Sequence, residues 1–264
     1  MATTTLKYTS KLHNARVLVL GGTSGIGFCV AEAALEHGAK VCISGSKQPK
    51  LDKAVSRLQS TYPEKASNIY GHVCDLSQPE QLESNIETLL KAAAADTKID
   101  HIAFTAGEPL KVVPIAEATV ESIQESGTVR FLAPLLLAKL VPKYISPGPE
   151  SSITLTGGTT IHRPAKGLTI MVAWGSGIEG ITRGLAVDLA PVRVNIVCPG
   201  AVHTERFDYI PKERLEGVLQ GFKDGNLLGK VGTPEELAEA YIYSMKDHFA
   251  TGAFLQSDGG RLLK

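Results

Sequence analysis

The sequence predicts an α/β fold: a doubly wound parallel sheet with helices on both faces, in a single domain spanning residues 1–264. Three observations predict it. Short apolar runs recur along the chain without polar alternation, as strands buried on both faces require. Helix-like stretches separate these runs, so the strands are joined by crossovers, which are right-handed. A glycine-rich turn, Gly21-Gly22-Thr23-Ser24-Gly25-Ile26-Gly27, stands between the first run and the first helix. No repeat, low-complexity stretch or linker divides the chain, and its length suits one large core.

The elements follow in order. Arg16–Leu20 is an apolar strand stopped by Gly21-Gly22, and residues 25–37 form an Ala- and Glu-rich helix ended by Gly38. Residues 40–44 and 68–73 are the second and third strands. Residues 78–95 form a helix opened by Pro79-Glu80. His101–Phe104 is the fourth strand, residues 115–144 read as one long helix, and residues 152–155 are the fifth strand. Residues 168–189 form a second long helix and residues 192–197 the sixth strand. Residues 1–13 are an N-terminal extension, and residues 203–228 a lid region over a ligand.

Composition excludes several classes. Lys plus Arg and Asp plus Glu both number 27, so the net charge is zero and nothing draws the chain to nucleic acid or an anionic membrane. The four cysteines (Cys29, Cys42, Cys74, Cys198) are scattered, with no metal-ligand spacing. They read as buried thiols in a reducing compartment rather than disulfides. No apolar run approaches the ~20 residues of a membrane span, and the start lacks an apolar signal core. The sequence therefore reads as a soluble cytoplasmic protein acting on a small molecule, with no metal.

The glycine turn lets backbone approach a pyrophosphate, which then sits at the positive N-terminus of the first helix, as in Rossmann-type sites. Gly21, Thr23, Ser24, Gly25, Ile26 and Gly27 are the candidate contacts. The second strand runs into Ser44-Gly45-Ser46-Lys47 with no acid to grip the free ribose hydroxyls of NAD. Ser44, Ser46 and the Lys47 ammonium suit the 2′-phosphate of NADP(H) instead. Lys47 also has a plain reading as a solvated charge. Asp75 and Leu76 follow the third strand, where a carboxylate accepts from an adenine amino group. Thr105-Ala106-Gly107 ends the fourth strand in small residues against which a ribose can lie, with Ala106 and Gly107 as the contacts.

These segments resemble the short-chain dehydrogenase/reductase family, through its Gly-x-x-x-Gly-x-Gly turn (Gly21, Gly25, Gly27), its Asp-Leu pair and its Asn-Ala-Gly motif, here Thr105-Ala106-Gly107. The likeness continues through residues 193–200 and ends in Thr251-Gly252 and Asp258-Gly259-Gly260. It implies that Pro199-Gly200 lies beside the nicotinamide, with the Val202 backbone and the Thr204 hydroxyl on the carboxamide. It also implies a homodimer or homotetramer packed through the two long helices.

The same resemblance marks what is missing. The family reduces carbonyls with an Asn-Ser-Tyr-Lys set, and alignment by neighbours puts Arg130, Gly158, Met171 and Gly175 in those four places. Hydride addition to a ketone makes an alkoxide, which needs an acid or strong oxyanion stabilisation. Hydride addition to an iminium cation yields a neutral amine and needs no proton donor. A cycloaddition needs mainly shape and orientation. Residues 156–159, Arg163-Pro164 and residues 185–195 are similar to a fungal subgroup of divergent reductases. That subgroup includes NADPH-dependent reductases guiding Diels–Alder cyclisation of indole-alkaloid intermediates. Its members lack the Tyr and Lys, and an Arg on the long central helix matches Arg130. They also use an Asp and a Trp after Arg-Pro, where this chain reads Ala165-Lys166-Gly167-Leu168.

Arg130, His162 and Thr159 are the catalytic candidates, and Met171, Trp174 and His203 the substrate-binding ones. Each has a bland alternative: Arg130 as a surface or interface charge, His162 and His203 as solvated loop residues, Trp174 as helix packing. The leading expectation is an NADP(H)-dependent reductase of specialised metabolism, alkaloid biosynthesis included, acting on an iminium or similarly activated substrate. The alternative is a non-redox cyclase or isomerase, or a catalytically dead binding protein, on the same fold.

Overall fold

The computed structural model describes residues 6–108 and 112–264. Residues 1–5, the beginning of the expected N-terminal extension, lie outside that range. Seven strands form the sheet: β1 (Arg16–Leu20), β2 (Lys40–Gly45), β3 (Ile69–Val73), β4 (His101–Phe104), β5 (Ser152–Thr156), β6 (Arg193–Pro199) and β7 (Phe254–Ser257). All neighbours pair in parallel, in the order β3-β2-β1-β4-β5-β6-β7. The strand order therefore reverses between β1 and β4, which opens a crevice at their carboxyl ends.

The described residues hold eight α-helices: α1 (Gly25–Glu36), α2 (Gln48–Thr61), α3 (Leu82–Ala93), α4 (Val120–Glu125), α5 (Ala133–Leu140), α6 (Thr169–Asp188), α7 (Lys212–Asp224) and α8 (Pro234–Lys246). The continuous apolar runs explain the two layers. In β1, Val17 and Val19 join one core with residues of α1, α2 and α8, while Leu18 and Leu20 join the other with residues of α3, α5 and α6. In β6, Val194, Ile196 and Cys198 face the α6 side, while Val197 faces the α8 side. The Arg193 guanidinium, itself buried, donates to the carbonyls of Ser244, Met245 and Ala250 and so closes the C-terminus of α8.

Residues 115–144 are not one helix. A 3-10 turn at Ile115–Glu117 precedes α4, a π-helical turn at Thr128–Leu132 follows it, and α5 leads to a second 3-10 turn at Val141–Lys143. Thr119 starts α4 afresh through a capping box with Ser122. Both Phe131 and Leu132 N–H groups return to the Gly127 carbonyl, which widens the turn. Three helices and the last strand lie outside the elements expected from periodicity. One of them, α7, buries no residue and so carries little apolar signal. Leu12, within the expected extension, is wholly buried, so the end of that segment belongs to the core beside α1. The four cysteines are free and buried. Among the described residues no helix is long and apolar enough to cross a membrane.

Candidate functional site

The crevice begins at the turn after β1. The N–H groups of Gly21 and Gly22 both donate to the Ser44 carbonyl, each at 3.0 Å. Gly21 has φ +84°, and a Cβ there would lie 2.6 Å from the Ala106 nitrogen. Only glycine allows both the conformation and the close approach of β4. The Thr105 hydroxyl donates to the Leu20 carbonyl at 2.8 Å, which ties the two strand ends together.

At the start of α1, Ser24 is the N-cap residue but its side chain makes no capping hydrogen bond, and the first turn holds no acidic residue. The helix therefore presents its N-terminal N–H groups without a side-chain cap of its own, a donor set that fits a phosphate. Thr23 lies against Gly45, and Ile26 packs at the edge of the core. Across the turn, the Thr204 methyl and a Glu205 carboxylate oxygen approach Gly25. The segment after β6 thus forms the opposite wall.

Around the adenosine end, Ser46 and Lys47 are exposed beyond β2, whereas Ser44 is 2% exposed and serves the glycine turn through its carbonyl. Asp75 accepts from the Ser77 amide and hydroxyl through one oxygen, and Leu76 is buried. Pro199 ends β6 paired with Ser257 of β7, Gly200 packs on Asp258, Val202 is buried and bridges Gly232, and the His203 ring stacks on Phe207. Glu205–Tyr209 is a 3-10 turn leading to α7, so the expected lid region, residues 203–228, is largely helical.

The sequence candidates on the other side of the crevice separate into three groups. Arg130 projects from the π-helical turn onto Gly107, whose missing Cβ leaves the space the guanidinium fills. Its Nε lies 3.2 Å from Glu108 Oε2, with about a quarter of the side chain exposed (26%). Glu108 Oε1 accepts from the N–H groups of Val129 and Arg130, at 2.6 and 3.1 Å. Burial draws the guanidinium pKa down, and the Glu108 carboxylate opposes that shift. Glu108 was not among the sequence candidates. Its one signal was position, directly after Thr105-Ala106-Gly107.

His162 lies in the loop after β5 and binds Glu179 of α6, with Nε2 to Oε1 at 2.6 Å. The histidine is exposed while Glu179 is nearly buried. Glu179 was also missed, although a carboxylate four residues beyond Gly175 in an apolar helix was visible. Thr159 is buried at the start of the same loop. Arg163 donates to the carbonyls of Gly225 and Arg261, which ties that loop to the C-terminal segment.

On α6, Met171 is half-buried, and a Cβ on Gly175 would meet Ile161 at 2.8 Å. Ile161 therefore occupies the space beside Gly175. The Trp174 ring packs on Gly127 and Phe131, and its N–H donates to the Ile123 carbonyl at 2.8 Å. This places the indole in the contact between α6 and the π-helical turn. Burial pushes the Cys198 thiol up to about 11, with the Glu179 charge adding to it. No group of His, Cys, Asp and Glu able to hold a metal occurs among the described residues.

Comparison with known proteins agrees with this architecture. The model of the SDR-like Rossmann domain family matches residues 8–264. The short-chain dehydrogenase/reductase malC of Malbranchea aurantiaca is 45% identical over 255 residues, covering 96% of each protein. A solved structure described as the MalC reductase/Diels-Alderase of that organism superimposes with a TM-score of 0.93 at 44% identity, covering 97% of this chain and 100% of that one. A small-chain dehydrogenase solved with NADPH shares the fold, with a TM-score of 0.77 at 24% identity over 95% of this chain and 100% of that one.

Proposed function

This chain belongs to the short-chain dehydrogenase/reductase family, and from that premise we propose that it is an NADP(H)-dependent reductase of specialised metabolism whose substrate is an iminium or similarly activated carbon. One observation carries the reading. The glycine turn that suits a dinucleotide is present between β1 and α1, while α6 offers Met171 and Gly175 where the family resemblance places its phenol and ammonium, and Ile161 fills the space beside Gly175.

When bound, NADPH supplies a hydride. The chain's own residues do the rest. The N–H groups at the start of α1, which Ser24 leaves uncapped, hold the pyrophosphate. Ser46 and Lys47 hold the 2′-phosphate, and no acid at the end of β2 repels it. Gly107 and Arg130 form the wall beside the nicotinamide half, and the flap over residues 203–228 excludes water. A substrate already cationic at carbon needs orientation rather than a proton, and a site without the phenol-ammonium couple can provide that. The same reading has the protein acting as a homodimer or homotetramer in the cytoplasm.

Thermal shift and fluorescence titration with NADPH and NADH test the cofactor claim. NADPH stabilises more strongly, and Lys47→Ala weakens NADPH binding by roughly 10- to 100-fold, the worth of one charge-assisted phosphate contact, with little change for NADH. Equal responses to both nucleotides would remove the NADP(H) assignment. A second reading, cyclisation without redox, draws support from the description of the 44%-identical structure as a Diels-Alderase as well as a reductase. Product formation without loss of NADPH absorbance at 340 nm selects it.

A further inference from the structure

We propose that the cavity bounded by the end of α3 and strands β1, β2 and β3 is a binding site for phosphate, held by Arg16 and Lys40, in which Asp96 is the partner that the anion displaces. The proposal lies outside the cofactor reading and does not depend on it. Arg16 opens β1, Lys40 opens β2, and the two are partners in the sheet. With Asn68, Tyr70, His72 and Asp96 they line a cavity of about 280 Å³. Arg16 and Lys40 stand at the amino ends of their strands, whereas the crevice lies at the carboxyl ends. The four residue steps from Arg16 to Leu20 span about 13 Å. An anion held by Arg16 and Lys40 therefore binds together with a cofactor rather than against it.

The charges in this cavity are unevenly held. The Arg16 side chain is 10% exposed, but Asp96, its partner at 3.1 Å, is 82% exposed. A pair with one member so open to water is weakly held. A guanidinium carries five N–H donors. Among the described residues the Arg16 side chain makes one hydrogen bond, Nη2 to Asp96 Oδ2. It also opposes the upward pKa shift that burial causes at the Tyr70 hydroxyl. Asn226 Oδ1 is the one buried side-chain N or O atom among those residues without a partner. The spare Arg16 donors are thus not sealed in the core, and they open onto the cavity that Arg16 lines. Lys40 is half-buried and forms no ion pair among the described residues. Two cations therefore face one loosely held acid. The Ala93 carbonyl at the end of α3 is already taken by the Tyr70 hydroxyl, at 3.4 Å. A phosphate offers the Arg16 fork two oxygens at once, reaches Lys40 with another, and releases Asp96 to water.

Calorimetric titration with inorganic phosphate at pH 7.5 and fixed ionic strength tests this, with chloride as the control salt. Wild-type protein binds phosphate saturably. Asp96→Asn tightens that binding roughly fivefold, as loss of one like charge about 4 Å away does in water-like surroundings. Lys40→Gln weakens it roughly tenfold, the worth of one charge-assisted contact, and Arg16→Gln abolishes it. Glycerol 3-phosphate is titrated beside inorganic phosphate, and the tighter binder shows whether a monoester or free phosphate is the source; Lys40→Gln weakens either. Because the start of α1 also attracts phosphate, each titration is repeated with NADPH present. No saturable binding, a dissociation constant unmoved by Lys40→Gln, one unmoved or raised by Asp96→Asn, or binding abolished by NADPH overturns the proposal. Should Arg16→Gln not fold, the opposite shifts of the other two variants decide. Lys47→Ala weakens NADPH but leaves the phosphate titration in place, so failure of the cofactor reading is told apart from failure of this one.

Discussion

His101 makes the sheet sensitive to acid, and its contribution can be worked out. It lies in β4, 3% exposed, with Nδ1 2.9 Å from the Ser152 hydroxyl of β5. Burial, followed by the charges of Arg193 and His248, holds its pKa down to about 3, against an ordinary value of 6.5. Above pH 6.5 the imidazole is neutral both folded and unfolded, so its full contribution is present there. As the pH falls below 6.5 the unfolded chain takes up a proton that the native chain refuses. Stability then drops by about 1.4 kcal/mol per pH unit until the native pKa is reached. Between pH 7.5 and 5.0 this single group removes about 2 kcal/mol, a large share of a typical stability. His101→Asn keeps a polar partner for Ser152 but does not titrate. Urea unfolding of both proteins at pH 7.5 and 5.0 gives the comparison. The variant is less stable at pH 7.5 because it underfills the site, yet it loses about 2 kcal/mol less on acidification. His248 and the carboxylates titrate in both proteins and cancel. An identical acid loss in the two proteins would refute the buried neutral imidazole.

Two further outcomes follow from the helices. Thr233→Ala removes the capping box in which Thr233 and Glu236 satisfy each other's backbone N–H groups at the start of α8. It costs about 1 kcal/mol, seen as a Tm about 2–4 °C lower, and an unchanged Tm would dismiss the cap. The double variant Met171→Tyr with Gly175→Lys does not gain reduction of simple ketones, and it melts earlier by the ~1–3 kcal/mol typical of overpacking, because Ile161 stands where the new Lys must go. Ketone turnover at wild-type Tm would show that the site still holds room for the missing couple.

Strand positions were legible because burial on both faces writes itself as continuous apolar runs. Arg16–Leu20 and His101–Phe104 carry no competing signal, and their ends lie where the sequence places them. The long stretch before β5 was misread because its apolar residues keep helical spacing across Thr119 and Gly127. What breaks the helix there is a capping box and a carboxylate from a distant loop, and neither has a periodicity. The same limit applies to the site. The glycine turn is a local feature, so it can be read from adjacent residues. The Glu108–Arg130 and His162–Glu179 pairs join residues 22 and 17 positions apart, respectively, through the fold. Trp174 shows the converse case. An isolated aromatic on a long helix reads either as a pocket wall or as packing, and its ring lies on Gly127, a neighbour that spacing along the helix does not reveal.

On the proposed reading, the decisive chemical question is whether another group serves as the acid where the family resemblance places a phenol. Tyr241, Cys198 and His162 are three described side chains on this part of the sheet that carry a transferable proton. Tyr241 is fully buried on α8, its hydroxyl pairs with Thr156 at 2.6 Å, and burial raises its pKa. The Cys198 thiol, pushed up to about 11, lies in the core. Both are closed off from solvent. His162 is exposed, but its Nε2 is engaged by Glu179 at 2.6 Å, which turns that edge of the ring toward α6. Protonating a developing alkoxide would therefore require the imidazole to break its shortest contact or to work through Nδ1. Arg130 keeps its proton throughout catalysis because a guanidinium is too basic to act as an acid. Among these three described side chains a ketone meets no well-placed donor, whereas an iminium needs none. On the proposed reading, the substrate arrives already activated and needs no acid from the chain.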